Sequence, residues 1–204
     1  MNISIIGHGN VGGALAKRFA EVGHQLFIGV REANEKSDQL GKLDNISVHS
    51  IEEAVAKSEV VVVATPGAVT VQLAKQLHDK LAGKTVIDTT NTIGKGPDPY
   101  ANGVEAFRKE SNAEAVVKCF NTTGFENMLD PVYDGEGIDM FVAGDSAEGK
   151  EIATQLSKEI GFGEVYDFGG DAQVTALEKF AFGWINLAIM QKQGRNMAFK
   201  ILKR

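Results

Sequence analysis

An apolar strand that runs without a break into a glycine-spaced turn leaves the start of this chain little choice of fold. Residues 3–12 read Ile-Ser-Ile-Ile-Gly-His-Gly-Asn-Val-Gly, so the strand feeds directly into Gly7-x-Gly9-x-x-Gly12. Each glycine answers a different steric need. Gly7 allows a tight strand-to-helix turn, Gly9 puts no side chain in the way of a pyrophosphate, and Gly12 lets the next helix pack close to its strand. The helix then offers free N–H groups and a partial positive charge to phosphate. In a chain with 23 glycines the spacing alone says little. The strand before it and the helical periodicity after it make Gly7, His8, Gly9, Asn10, Val11 and Gly12 a candidate dinucleotide-binding loop.

The pattern alternates strand and helix almost to the end. Strands are expected at 2–6, 25–29, 46–48, 59–64, 84–88, 115–119, 140–143 and 165–168. Helices are expected at 10–22, 32–42, 51–57, 66–80, 101–111 and 147–160, with a long final helix or helix pair over 171–202, bent near Gly183 or Gly194. In the first helix Val11, Ala14, Leu15, Phe19 and Val22 recur near 3.6 residues, and Gly23 closes it. The Val-rich run 59–64 lacks polar alternation, which marks a strand buried on both faces. Pro66 suits a first helical turn, and Ser146 an N-cap. Gly94, Gly96, Pro97 and Pro99 make 91–104 an expected mobile loop over a site. Such alternation predicts an α/β fold with a doubly wound, mainly parallel sheet of the Rossmann NAD(P)-binding type. The chain reads as one domain over 1–204. Its dinucleotide-binding part spans about 1–120, and a smaller C-terminal helical portion spans about 121–204.

Composition narrows the classes. A length of 204 residues with 43% hydrophobic content fits one domain with a substantial core. A net charge of −6 argues against a nucleic-acid or membrane-surface partner. The single Cys119 excludes an intrachain disulfide framework and fits a reducing, cytoplasmic compartment. The N-terminal apolar run is only a strand long, so no secretory leader is expected. The apolar stretch 180–190 is shorter than the roughly 18 residues of a membrane span, and a buried helix is expected there.

The end of the second strand selects the dinucleotide. An NAD site places Asp or Glu about 20 residues on, against the ribose hydroxyls. Here the position holds Val30 and then Arg31, whose fork of donors suits a 2′-phosphate. Lys36 follows about a helical turn later. This favours NADP(H), while Glu32 is the alternative ribose ligand that would admit NAD. In a doubly wound sheet the ligand lies beyond the strand carboxyl ends. The candidates there are Ala64-Thr65-Pro66, then Thr89-Thr90-Asn91, then Asn121-Thr122-Thr123. Their hydroxyls and amides can bond a ribose, a carboxamide or a flat heterocycle; for Thr65, turn and cap chemistry is the competing reading.

No acid–base set stands out, and no catalytic residue is assigned. His24, His49 and His78 fall at strand or helix ends, Cys119 has no basic cluster beside it, and no spacing suggests a metal. Asp88 and Asp145 read as strand-end or turn carboxylates. Hydride transfer between two redox rings needs their alignment, not a general base. An alcohol or imine substrate needs a proton donor, for which Lys179 is the one candidate.

The opening motif, Gly29-Val30-Arg31, Thr65-Pro66, Val117-Lys118-Cys119-Phe120-Asn121-Thr122, Val142-Ala143-Gly144-Asp145 and the run from Leu177 through Asn186, Gly194 and Phe199 together resemble the NADP oxidoreductase, coenzyme F420-dependent family. The resemblance implies hydride transfer between NADPH and the deazaflavin coenzyme F420. NADP would lie on the Rossmann part, the deazaflavin in a cleft against the smaller part, and the protein would be a homodimer. It makes Arg31 and Lys36 the 2′-phosphate site. Two departures are visible. Val30 stands where family members often carry Ser or Thr, and the Arg-to-Lys spacing is a residue longer. A flavin is a second possible acceptor. The other readings are a small-substrate NADP-dependent dehydrogenase or imine reductase, with Lys179 as proton donor, and a non-catalytic NADP-binding sensor.

Overall fold

The computed structural model describes residues 1–32, 39–40, 42–94 and 96–204. Lys36 and most of the expected helix 32–42 lie outside them. Among the described residues, six strands form one parallel sheet in the order β3-β2-β1-β4-β5-β6. They are β1 (Asn2–Ile6), β2 (Gln25–Val30), β3 (Ile46–Ser50), β4 (Val60–Val63), β5 (Thr85–Asp88) and β6 (Ala115–Lys118). The chain winds outward from β1 through β2 to β3, then crosses back to β4 and winds the other way. The order therefore reverses beside β1, where Ile6 stands between Gly29 and Val63. Ligands of such sheets bind at this reversal.

Both faces of the sheet are covered, which explains the unbroken valines of β4. Ile3, Ile5, Val60, Val62 and Val117 pack on one side against α1 (Asn10–Glu21) and α6 (Ala147–Glu159). Ile6, Val61, Val63, Val86 and Val116 pack on the other against α2 (Ile51–Ala56), α3 (Thr70–Gln76), α4 (Gly103–Glu110) and α7 (Val174–Ile185). Local signals fix the helix starts. Ser50 and Glu53 form a capping box on α2. The side chains of Asn102 and Ser146 accept from Glu105 N and Gly149 N at the starts of α4 and α6.

Several expectations need correction. The helix at 66–80 is broken: α3 lies between 3₁₀ turns at Gly67–Val69 and His78–Leu81. The tighter i→i+3 bond from Lys80 N to Leu77 O helps bury both Leu77 and Leu81. Beyond β6, sequence reading missed α5 (Phe125–Leu129) and the hairpin β7 (Val132–Tyr133)–β8 (Glu136–Gly137). That hairpin turns on Asp134-Gly135, both at positive φ (50° and 84°), a dipeptide signal that was legible. Strands β9 (Met140–Val142) and β10 (Val165–Asp167) pair with each other, and one antiparallel bridge, Lys118 with Ala143, ties them to β6.

The C-terminal helix is also shorter than expected. It runs straight through Gly183, ends at Ile185, and closes with a π-helical turn over Asn186–Met190. Lys192 and Gly194, at φ 55° and 95°, then turn the chain back. The returning tail finds its bonds elsewhere: Trp184 Nε1 donates to Met197 O, Lys200 Nζ to Gly137 O, and Ile201 N to Asp139 Oδ2, each at 2.7 Å. The stretch 180–190 is only partly buried, since Phe182, Leu187, Ile189 and Met190 are exposed.

The stripe of α1 ends earlier than its periodicity implies. Phe19 is fully buried, with its ring edge-on to Phe120 at 5.9 Å, whereas Val22 caps the helix at 39% exposure. Phe19→Ala is expected to cost about 3–5 kcal/mol in urea denaturation. Val22→Ala, made at the exposed cap, should stay within about 0.5 kcal/mol.

Candidate functional site

The glycine turn is built by backbone crowding. Gly7 sits at φ +97°, and a Cβ there would lie 2.6 Å from the Ala64 carbonyl oxygen. A Cβ on Gly12 would lie 1.8 Å from the Gly7 carbonyl oxygen. Gly9 is the N-cap of α1, and a Cβ there would meet nothing within 4 Å. Two glycines are thus demanded by the fold, and the third keeps open the space in front of a helix N-terminus. Asn10 opens that helix, and its first turn carries no acidic residue. An anion is favoured there.

Two cavities flank this turn. The first, about 300 Å³, lies between Gly7, His8, Gly9, Val30 and Arg31 on one side and Ala64, Thr65, Pro66 and Gln72 on the other. Arg31 is exposed at the end of β2 and has no ion-pair partner among the described residues. Glu32, also exposed, is not part of this lining. The second cavity, about 410 Å³, is bounded by Val11, Ala64, Thr65, Pro66, Thr89, Thr90, Asn91 and Ile93. The two meet at Ala64-Thr65-Pro66. Together they follow the carboxyl ends of β1, β2, β4 and β5.

The structure brings Asn91 and Asn121 together. Asn91 Nδ2 donates to the Asn121 carbonyl at 2.8 Å, and Asn121 Nδ2 donates back to Asn91 Oδ1 at 2.9 Å. In these linings Thr65 Oγ1 and Thr90 Oγ1, and next to Asn91 the Asn121 Oδ1, are buried without a hydrogen-bond partner. Buried polar atoms are nearly always paired, so these three fit a polar ligand that would complete them. Just before Asn121, Phe120 holds φ 59° while fully buried between Phe19 and Phe162.

Sequence reading missed a buried ion cluster next to this loop. Lys118, the last residue of β6, is 0% exposed. Its Nζ donates to Asp88 Oδ2 and to the Thr90 carbonyl, both at 2.6 Å. Glu178 Oε1 lies 2.6 Å from the same Nζ as an ion pair, out of hydrogen-bonding direction. Glu178 Oε2 accepts from Thr92 N at 3.1 Å and from the Thr92 hydroxyl. A lysine closing the apolar run Ala-Val-Val-Lys was a visible sign of a buried counter-charge. Asp88, read as a strand-end carboxylate, is that partner through the β5–β6 register. Lys179 is exposed on α7, while its neighbour Glu178 turns inward.

The remaining titratable candidates are occupied elsewhere. His24 Nε2 meets Glu159 Oε2 at 2.7 Å, His49 bonds Ser47, and His78 bonds the Glu110 carbonyl. Cys119 is fully buried beside Ser157, and burial pushes its thiol up to about 12, where it is unreactive. Among the described residues no group of His, Cys, Asp and Glu is arranged to hold a metal ion, and no helix is long and apolar enough to cross a membrane.

Residues 2–92 match the family described as NADP oxidoreductase coenzyme F420-dependent. The F420-dependent NADP reductase of Methanothermobacter thermautotrophicus is 28% identical, over 98% of this chain and 94% of that protein. A solved structure from Arthrobacter sp. FB24, provisionally described as an F420-dependent NADP-reductase, superposes with a TM-score of 0.85 at 30% identity, over the full length of both chains. An imine reductase of Myxococcus stipitatus shares the fold, with a TM-score of 0.72 at 19% identity over 94% of this chain and 63% of its own. The chain belongs to the NADP oxidoreductase, coenzyme F420-dependent family.

The crowding at the turn separates two substitutions. Gly12→Ala is expected to lose about 1–3 kcal/mol of stability through overpacking. Gly9→Ala should melt like the wild type yet lose most of its affinity for a dinucleotide, as read by calorimetric titration.

Proposed function

We propose that this member of the family passes hydride between NADPH and a deazaflavin of the coenzyme F420 type. The observation that carries the reading is the pair of cavities meeting at Thr65-Pro66. One is bounded by the glycine turn and Arg31. The other has a described lining without a charged side chain. The first suits a phosphorylated adenosine, and the second suits flat rings stacked in a dry space. The full-length likeness to an F420-dependent NADP reductase supports the acceptor.

In this reading NADPH, when bound, supplies the hydride. Gly7, Gly9, Gly12 and the N-terminus of α1 hold the pyrophosphate, with His8, Asn10 and Val11 beside it. Arg31 grips the 2′-phosphate through its forked donors, joined by Lys36, which lies outside the described residues. Val30 brings an apolar wall and no hydrogen bond. Ala64, Thr65 and Pro66 form the waist between the two halves. Thr90, Asn91 and Asn121 orient the nicotinamide and its partner ring with uncharged donors and acceptors, which suits a hydride step that moves no proton through the protein.

The same reading divides the chain near residue 120 into a nucleotide-holding part and a smaller part that closes over the acceptor. It also places the protein in the cytoplasm, in keeping with a lone, buried thiol. Phe182, Leu187, Ile189 and Met190 give α7 and the turn after it an exposed apolar face. We infer that a second copy of the chain covers it.

Arg31→Ala is expected to weaken NADPH by roughly 1.5–3 kcal/mol more than NADH, through lost charge-assisted bonds. Equal losses would transfer nucleotide selection to Glu32. Acceptor-dependent oxidation of NADPH should be fastest with the deazaflavin in a screen that includes FMN and FAD, and silence with all three would overturn the reading. Sedimentation velocity should show a dimer that Leu187→Glu with Ile189→Glu converts to a folded monomer; a wild-type monomer would refute the inferred interface.

A further inference from the structure

The ion cluster under the second cavity is larger than strand pairing requires. Lys118 Nζ gathers groups from three places: Asp88 at the end of β5, the carbonyl of Thr90 in the loop after it, and Glu178 on α7. A lysine buried this deeply needs close counter-charges, and apolar residues of similar volume often serve stability as well. What the charges add is position. Thr90 has its N–H on Asp88 Oδ1 at 2.9 Å and its carbonyl on Lys118 at 2.6 Å, so both of its peptide groups are fixed by the cluster. Thr92 has its N–H on Glu178 at 3.1 Å. Thr89 is tied back to the Val63 carbonyl. The loop is held by its backbone on the inner side, and the Thr90 hydroxyl stays buried and unpaired at the cavity wall.

The charge count supports a built arrangement. Two carboxylates face one ammonium. The start of α4 lies against them, with Gly103 so close that a Cβ there would stand 2.2 Å from Asp88 Oδ2. A helix N-terminus offsets part of the surplus negative charge. Asn102, the cap of that helix, also donates to Thr175 Oγ1 on α7 at 3.1 Å. The loop, α4 and α7 therefore meet on one buried cluster.

We propose that Lys118 and Glu178 are positioning residues for hydride transfer. Through the peptide groups of Thr90 and Thr92 they set the wall against which the nicotinamide half of the dinucleotide rests, and they tie that wall to α7. This rests on the reading of the protein as an NADP-dependent reductase. Neither side chain is placed in contact with the reacting atoms.

The test compares Glu178→Leu, which removes the acceptor for Thr92, with Glu178→Gln, which keeps a carbonyl oxygen there. Each is titrated with NADP⁺ and with 2′-phospho-ADP-ribose, which lacks the nicotinamide, and each is assayed for deazaflavin-dependent oxidation of NADPH. Glu178→Leu should bind 2′-phospho-ADP-ribose like the wild type but lose the extra affinity for NADP⁺. Its kcat should fall by about a hundredfold, as for a slightly misplaced reactant. Glu178→Gln should recover most of both. If Glu178→Leu weakens both ligands equally, or keeps the wild-type kcat, the positioning role is overturned. Should the leucine variant not fold, the double variant Lys118→Met with Glu178→Leu, which removes the paired charges together, takes its place, with the same results expected and the same results overturning the role. A wild-type protein that oxidises no NADPH refutes the underlying reading instead, and the ratio of the two affinities still reports on the loop.

Discussion

The carbonyl of Gly7 occupies the place where a side chain on Gly12 would have to go. From that contact the rest of the molecule follows. It seats α1 against β1 and leaves Ala64 packed against the same turn, beside the reversal in strand order. Because α1 begins there, Gly9 and Val11 at its start line the groove along the strand ends. A helix displaced outward by one methyl group would leave neither the close sheet packing nor the anion-favouring end in place. The fold and the candidate site therefore share one steric requirement.

Local physics made much of this legible in the sequence. Hydrophobic period and turn residues gave the six main strands, α1, α2, α4 and α6, because each is set by residues close in the chain. Counting from Gly12 reached Arg31, and the strand-end segments gave Thr65 and Asn91, which line the two cavities, and Asn121, which bonds to Asn91. The ion cluster escaped because Asp88, Lys118 and Glu178 are far apart in sequence, and only the strand order brings them together. The final helix was overextended for a related reason. Residues beyond Met190 keep a helical composition, but peptide groups of Met197 and Ile201 bond to Trp184 and Asp139 and the Lys200 side chain to Gly137, and tertiary bonding overrode propensity.

Charge is distributed in a telling way between the two halves of the groove. The first half carries its cation, Arg31, at the exposed rim, where it can meet a phosphate without loss of hydration beforehand. The second half keeps its charges one layer beneath the wall and presents only hydroxyls, amides and apolar groups. Desolvation explains the division. Burying an ammonium with fixed partners costs the chain once, on folding, whereas a charge lining the cavity would have to be stripped of water each time a ring entered.

Phe120 has a consequence of a different kind. It carries a left-handed backbone under a large side chain that is fully buried against the rings of Phe19 and Phe162. One residue on stands Asn121, whose amide pairs with Asn91 in the loop after the neighbouring strand. The boundary between scaffold and site thus runs through a single peptide unit. A substitution in the aromatic core around Phe120 therefore acts one peptide unit from the amide pair. The core and the binding loop are constrained to change together.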